Sequence, residues 1–244
     1  MLRRIILPDT IHAETTVSLE GELFLALRMR EPYQGEIISV TDAAGKTFRG
    51  RIVELKDDQA RVFIFEEMRE PIEPPFDLFL FQALPEKERM ELIIQKATEL
   101  GVSCIYPFKS KHSISLEERE AGQPKAHRWQ QIALKAAKQS RRASLPLVAP
   151  YCTLAQALEL AQPLELKIIL WEKEGTRLAS LIRDMPLPRS IALMVGPEGG
   201  WAEEEIQQAR AAGFAAAGLG GRILRTETVA IAACAILQYE WGGI

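Results

Sequence analysis

Met194-Val195-Gly196-Pro197-Glu198-Gly199-Gly200-Trp201 sets a glycine-rich turn directly behind an apolar run, Ile191-Ala192-Leu193-Met194-Val195. The run reads as a buried strand. Glu203-Glu204-Glu205 follows the turn and reads as the first turn of a helix, where carboxylates suit the helix dipole. A second turn, Gly218-Leu219-Gly220-Gly221-Arg222-Ile223-Leu224-Arg225-Thr226-Glu227-Thr228, runs into the apolar segment 229–237. A glycine-rich turn between strand and helix commonly cradles phosphate. Neither GxGxxG nor GxxxxGK[ST] is present here, and Glu198 would repel a diphosphate. A cationic ligand, or one with exposed amide edges, suits these turns better, and the sulfonium of S-adenosylmethionine (SAM) is such a ligand. Glycine content alone equally fits two tight strand-to-helix connections.

The rest of the chain supplies the frame. Upstream strands alternate with helices. Phe76-Asp77-Leu78-Phe79-Leu80-Phe81-Gln82-Ala83 is a buried-strand run, and 88–100 has helical periodicity closed by Gly101. Strands follow at 104–108 and at Lys167-Ile168-Ile169-Leu170-Trp171-Glu172. This alternation implies an α/β domain with a mostly parallel sheet. Residues 1 to about 70 read instead as short strands, at 36–41, 47–55 and 60–65, separated by turns at 42–45 and 56–58. Such spacing suggests a small β-barrel. Three prolines, Pro71, Pro74 and Pro75, mark a stiff linker, giving expected domains of 1–72 and 73–244.

Composition bounds the function. The 244 residues are 47% hydrophobic and 26% charged, which fits an ordinary soluble globular protein. Cys104, Cys152 and Cys234 are widely spaced and odd in number; they make no metal motif or disulfide framework, so no metal and a reducing cytoplasm are expected. The apolar start, Met1 to Leu7, is too short for a signal peptide or a membrane span. The net charge of −3 argues against a protein that coats nucleic acid, so any RNA contact must come from local clusters.

One such cluster is legible. Acidic residues are absent from 101–116 and from 121–158, and the second gap holds Lys125, Arg128, Lys135, Lys138, Arg141 and Arg142. On a helix over 125–140, Trp129, Ile132, Ala133 and Ala136 share one face while Arg128, Lys135 and Lys138 lie opposite. This stripe is a candidate phosphate track, or else a solvated face. In the first domain Arg28, Arg30, Arg49 and Arg51 could touch phosphate, though singly each fits a solvated strand face. His12 and His127 read as surface residues, whereas His112, in the acid-free stretch, is a candidate to face RNA.

The paired turns also carry a resemblance. GPEGGW followed by LGGRILRTETVA resembles the signature of the SPOUT class of knotted RNA methyltransferases, and within it the RsmE family of 16S ribosomal RNA uridine-N3 methyltransferases. The resemblance implies a trefoil-knotted C-terminal domain, a PUA-like or OB-like RNA-binding barrel in front of it, SAM as cofactor and a homodimer. The small ribosomal subunit or its 16S rRNA would be the partner. Leu27-Arg28-Met29 resembles that family's "VLR" element and Lys138-Gln139-Ser140-Arg141 its "EQSxR" element, with Lys138 in place of the glutamate. Its "ERS" motif becomes Lys111-His112-Ser113. The implied cofactor cleft is formed by the loop after Leu170 and the two glycine turns. Its expected residues are Leu170, Glu172, Val195, Gly196, Glu198, Gly199, Leu219, Gly220, Ile223, Leu224, Arg225, Thr226 and Thr228.

Methylation at uracil N3 requires loss of its proton, for which a carboxylate is suited, and a cation to hold the charge left on the ring oxygens. Glu227 and Arg225 are the catalytic candidates. Thr226 could alternatively cap the last helix, and Arg225 could pair structurally with Glu198. The segment 226–241 is apolar around most of its circumference, so as a helix it must be buried on more than one side, against the sheet and, as the resemblance implies, a second subunit, or else wholly within one chain. Two other classes stay open: a non-catalytic RNA-binding protein, which would not bind SAM, and a nucleotide-binding α/β enzyme, against which Glu198 and the missing lysine argue.

Overall fold

The computed structural model describes residues 5–70, 72–113 and 127–244. Two units account for them: the first runs to Glu73 and takes in Ala137–Leu145, and the second comprises Pro74–Ala136 and Pro146–Ile244. The candidate helix residue Lys125, the linker Pro71 and the start 1–4 lie outside the described residues.

In the first unit, β1 (Thr15–Glu20), α1 (Gly21–Arg28), β2 (Ile37–Thr41), β3 (Thr47–Leu55) and β4 (Gln59–Glu67) form an antiparallel sheet in the order β1-β4-β3-β2 with one helix. Alternation decides its faces. Phe48 and Ile52 of β3 and Val62 and Ile64 of β4 are buried with Leu19, Val40, Phe24 and Leu27, while Arg51, Arg61 and Phe63 face outward. Among the described residues the outer strands β1 and β2 do not pair with each other, so what is seen of the expected barrel is a small antiparallel sheet. Ile6 bridges Thr41, extending the β2 edge instead. Helix α1, in a stretch expected to be β-rich, forms because Phe24, Ala26 and Leu27 can be buried on one side of it.

Residues Ala137–Leu145 are bound into this first unit by charge. The Arg142 guanidinium is buried, with its Nη2 2.6 Å from Glu73 Oε2. The Ser144 hydroxyl and backbone N–H also donate to Glu73. Arg30, likewise buried, donates to the carbonyl of Arg142 at 2.9 Å. Lys138 lies 3.2 Å from Glu36 and donates to the Glu31 carbonyl. Burial alone would push the Glu73 carboxyl up, but the Arg142 charge and the donors on it together hold it below the usual carboxylate range.

The second unit contains β5 (Asp77–Ala83), α2 (Lys87–Glu99), β6 (Cys104–Lys109), α3 (His127–Gln139), β7 (Leu147–Val148), β8 (Cys152–Thr153), α4 (Leu154–Ala161), β9 (Leu166–Leu170), α5 (Leu178–Ile182), β10 (Ser190–Val195), α6 (Glu203–Ala211), β11 (Ala215–Ala217) and α7 (Thr226–Glu240). The last three residues of α3 count with the first unit. Seven strands among the described residues pair in parallel, in the order β11-β9-β10-β5-β6-β7, with β8 also on β6. Both faces are covered, as a parallel sheet requires. Ile191, Leu193 and Val195 of β10 point into one core with Met90, Ile93 and Ile94 of α2 and Ala233, Cys234 and Leu237 of α7. Ala192 and Met194 point into the other with Ala157 and Leu158 of α4 and Ile206 of α6. Burial pushes the Cys234 thiol up to about 12, which leaves it a packing residue rather than a nucleophile.

Candidate functional site

The carboxyl ends of β9, β10 and β11 stand side by side, and the loops leaving them enclose a cleft of about 350 Å³. This is where parallel α/β sheets bind ligands. Leu170, Val195 and Ala217 end the three strands and form its apolar floor with Leu219 and Val229. Of the expected cofactor residues, Glu172, Gly196, Glu198, Gly199, Gly220, Ile223, Leu224, Arg225 and Thr226 also line it. Thr228 does not: it is exposed on the first turn of α7 and is no part of the wall. Sequence reasoning passed over Arg89, Trp171 and Trp201, which do line the cleft.

Each wall has a local cause. Gly196 is glycine because Trp201 crosses over it; a Cβ there would lie 2.9 Å from the indole Nε1. That indole donates to the Leu170 carbonyl at 2.8 Å and stacks on Phe108, so the first glycine turn is tied to the end of β9. Gly220 is glycine for a different reason, a backbone φ of +118° that side chains disfavour. Thr226 opens α7 and donates its hydroxyl to the Gly196 carbonyl at 2.6 Å while accepting from the buried Gln82 of β5. It therefore joins the two turns, and its side chain does not cap the helix as the local pattern allowed.

The charges are arranged differently from expectation. Glu198 does not pair with Arg225. It accepts from the Glu86 backbone N–H at 2.8 Å and lies 3.3 Å from Arg89, so its charge pins the turn to the start of α2. Arg89 also approaches Glu227 at 4.0 Å. One Glu227 oxygen is buried without a hydrogen-bond partner. Arg225 is exposed at the cleft and has no ion-pair partner among the described residues. The altered Lys111-His112-Ser113 segment packs on the same turn. Lys111 donates its backbone N–H to Glu205, and the His112 ring nitrogen meets the Gly200 carbonyl at 3.2 Å.

The cleft suits a ligand with polar edges on an apolar body. The backbone N–H groups from Leu219 to Leu224 have no hydrogen-bond partner among the described residues. Trp171 leaves its buried indole N–H equally unsatisfied. Unsatisfied donors beside an apolar wall are characteristic of a small-molecule site. No group of three or more acidic, histidine or cysteine side chains that could hold a metal occurs among the described residues.

A family model described as an RNA methyltransferase domain matches residues 72–238, most of the chain and all of the cleft. The chain belongs to the RNA methyltransferase family. Within it, the similarity is to proteins named ribosomal RNA small subunit methyltransferase E. The Bacillus subtilis relative is 29% identical, covering 94% of this chain and 92% of that protein. The relative from Synechocystis is 32% identical, with 96% and 76% covered. A crystal structure of the Neisseria gonorrhoeae methyltransferase E, bound to S-adenosyl methionine, is 34% identical, with a TM-score of 0.67 over 99% of this chain and 98% of that one. A Legionella pneumophila methyltransferase in complex with SAM gives 32% identity and a TM-score of 0.65, with 98% of each chain covered.

The basic stripe on this RNA methyltransferase is largely neutralised. Arg142 and Arg30 are buried in the Glu73 cluster and cannot meet phosphate, which corrects the expectation for both. Lys138 is engaged by Glu36 and Arg128 by Glu91 at 3.0 Å. Arg28 donates weakly to the Asp57 carbonyl, and Arg49 pairs with Glu66. Lys135 and Arg141 remain exposed. The stretch has no acids of its own, but its counter-charges come from elsewhere in the sequence.

Proposed function

We propose that this chain methylates N3 of a uridine in the 16S ribosomal RNA of the small subunit, using SAM. The observation that carries the reading is the cleft at the ends of β9, β10 and β11, whose free N–H groups and apolar floor belong to a chain of the RNA methyltransferase family. The names of its relatives and the SAM bound to its structural neighbours support both substrate and cofactor. When bound, SAM supplies an electrophilic methyl group on sulfur.

The chain's own residues do the rest. Backbone N–H groups of Leu219, Ile223 and Leu224 hold the polar edges of the cofactor, and Leu170, Val195 and Leu219 enclose its apolar surface. Glu227 accepts the N3 proton, and Arg225 stabilises the negative charge left on the uracil oxygens. Arg89, between Glu198 and Glu227, keeps the carboxylate and the first glycine turn in register. The N3 lone pair then takes the methyl group as the carbon–sulfur bond breaks.

Four finer features belong to the same proposal. The loops around the cleft form a trefoil knot. The first unit is a PUA-like RNA-binding module. Two copies associate through α7, whose buried side holds Ala230, Ala233 and Leu237 while Ile236 is half-covered and Tyr239 exposed. The enzyme works in the cytoplasm. Sedimentation at micromolar concentration should give a dimer mass, and a monomer mass would remove the third point. The central test is nucleoside mass spectrometry of ribosomal RNA from a strain lacking this protein. One N3-methyluridine should disappear and return on complementation; an unchanged nucleoside profile would refute the reading.

A further inference from the structure

Behind the second glycine turn lies a smaller cavity, about 200 Å³, lined by Arg177, Leu219, Gly220, Gly221, Arg222 and Leu224. It shares Leu219, Gly220, Arg222 and Leu224 with the wall of the cofactor cleft, but Arg177 belongs to it alone. Two guanidinium groups border it, and no carboxylate does. Neither arginine has an ion-pair partner among the described residues; the nearby Glu174 is already engaged by Arg210. The backbone N–H groups of Gly220, Gly221 and Arg222 are also unpaired. Consecutive free N–H groups beside a glycine of positive φ, flanked by arginines, make an anion-binding concavity.

The backbone that presents Arg177 is fixed. Gly218 donates to the Thr176 carbonyl at 2.8 Å, and Leu178 donates to the Gly218 carbonyl at 2.9 Å. Arg177 thus sits on a short bridge to the end of β11, with Leu178 buried beside it. A flexible loop cation would lose more entropy on gripping a ligand than this one does.

We infer that the Arg177–Arg222 cavity is an oxyanion subsite that holds a phosphodiester of the RNA substrate next to the base being methylated. This rests on the reading of the cleft as the methyl-transfer site. Because Arg222 borders both cavities, a phosphate held here positions the adjoining nucleotide at the cleft mouth. A carboxylate is the other anion within reach, since the cofactor carries one, and the two sources separate experimentally.

The test compares wild type, Arg177→Gln, Arg177→Lys and the double variant Arg177→Gln with Arg222→Gln. SAM affinity is measured by calorimetry, and binding of purified small-subunit ribosomal RNA is measured across a salt series. For Arg177→Gln we expect unchanged SAM affinity, RNA binding about tenfold weaker, and a salt-dependence slope shallower by about 0.7, the value for one lost phosphate contact on a single strand. Arg177→Lys should keep the slope, and the double variant should lose about twice as much. Weakened SAM binding with an unchanged slope would assign the site to the cofactor and overturn the inference. Unchanged RNA binding in a folded variant would leave two solvated arginines and overturn it as well. If wild type neither binds SAM nor methylates RNA, the reading of the cleft fails instead, whatever the slopes show.

Discussion

The hydroxyl of Thr226 donates to the carbonyl of Gly196 at 2.6 Å, so the first residue of the last helix is fastened to the first glycine turn. Gln82, wholly buried in β5, donates to the same hydroxyl at 3.1 Å. Three segments far apart in sequence meet at one oxygen. Thr226→Val keeps the shape and removes the oxygen, so the Gly196 carbonyl keeps only a long 3.4 Å bond from Gln82, which also donates to the Ala83 carbonyl. It should cost about 1–3 kcal/mol of stability and weaken SAM binding, while Thr226→Ser should keep both. Thermal melting with calorimetry checks this; equal behaviour of the two variants would show that the hydroxyl is idle.

Arg89 of α2 serves three carboxylates, Glu86, Glu198 and Glu227. Its pairs are partly exposed, so Arg89→Met should change stability by less than about 1 kcal/mol. Methyl transfer should nevertheless fall by about tenfold or more, because Glu227 and the Glu198 turn lose their common anchor. A kcat/KM equal to wild type would show that Arg89 positions nothing.

The two glycines should fail for separable reasons. Gly196→Val drives a side chain into Trp201 and should lower both the melting temperature and SAM affinity. At Gly220 an added Cβ meets nothing within 4 Å, so the penalty of Gly220→Val is conformational, about 1–2 kcal/mol. Its effect should fall mainly on the ligand-facing turn. Unaltered SAM affinity in both variants would misplace the cofactor.

The Glu73 cluster makes stability depend on acid. The Glu73 carboxyl titrates below its ordinary value in the folded chain, so its stabilising contribution is complete above the usual carboxylate range. That contribution is lost as pH falls from about 4.5 through the lowered folded value. Wild type should lose stability over this window, and Glu73→Gln should start lower and show a flatter acid dependence. Arg142→Ala, which removes the direct ion pair of a buried carboxylate, should cost about 3–5 kcal/mol at neutral pH. Parallel acid curves for wild type and Glu73→Gln would contradict this.

The cleft was legible because its walls are contiguous. A strand, its glycine turn and the following helix are written in one run, so 191–201 and 218–228 announce themselves. Arg89 was not legible: it sits on the polar side of an ordinary amphipathic helix, and its partners Glu198 and Glu227 lie more than a hundred positions away. The basic stripe misled for the same reason. A gap in acidic residues is a property of sequence neighbours, whereas Arg142, Lys138 and Arg128 find Glu73, Glu36 and Glu91 through the fold. Helix α1 escaped because eight residues carry too little periodicity to stand out from strands on either side.

The bond between Glu73 and Arg142 spans 69 positions, and it sets an order of events during synthesis. All the strands of the first unit have been made by residue 67, yet the cation that neutralises Glu73 has still to be translated, after β5, α2 and β6. Until then Glu73 has buried Arg30 near it but lacks the direct contacts from Arg142 and Ser144. It must wait for a segment that arrives only when the larger sheet is already under way. Truncation after residue 73 should reproduce that waiting state, and the peptide 137–145, supplied separately, is the missing piece that would end it.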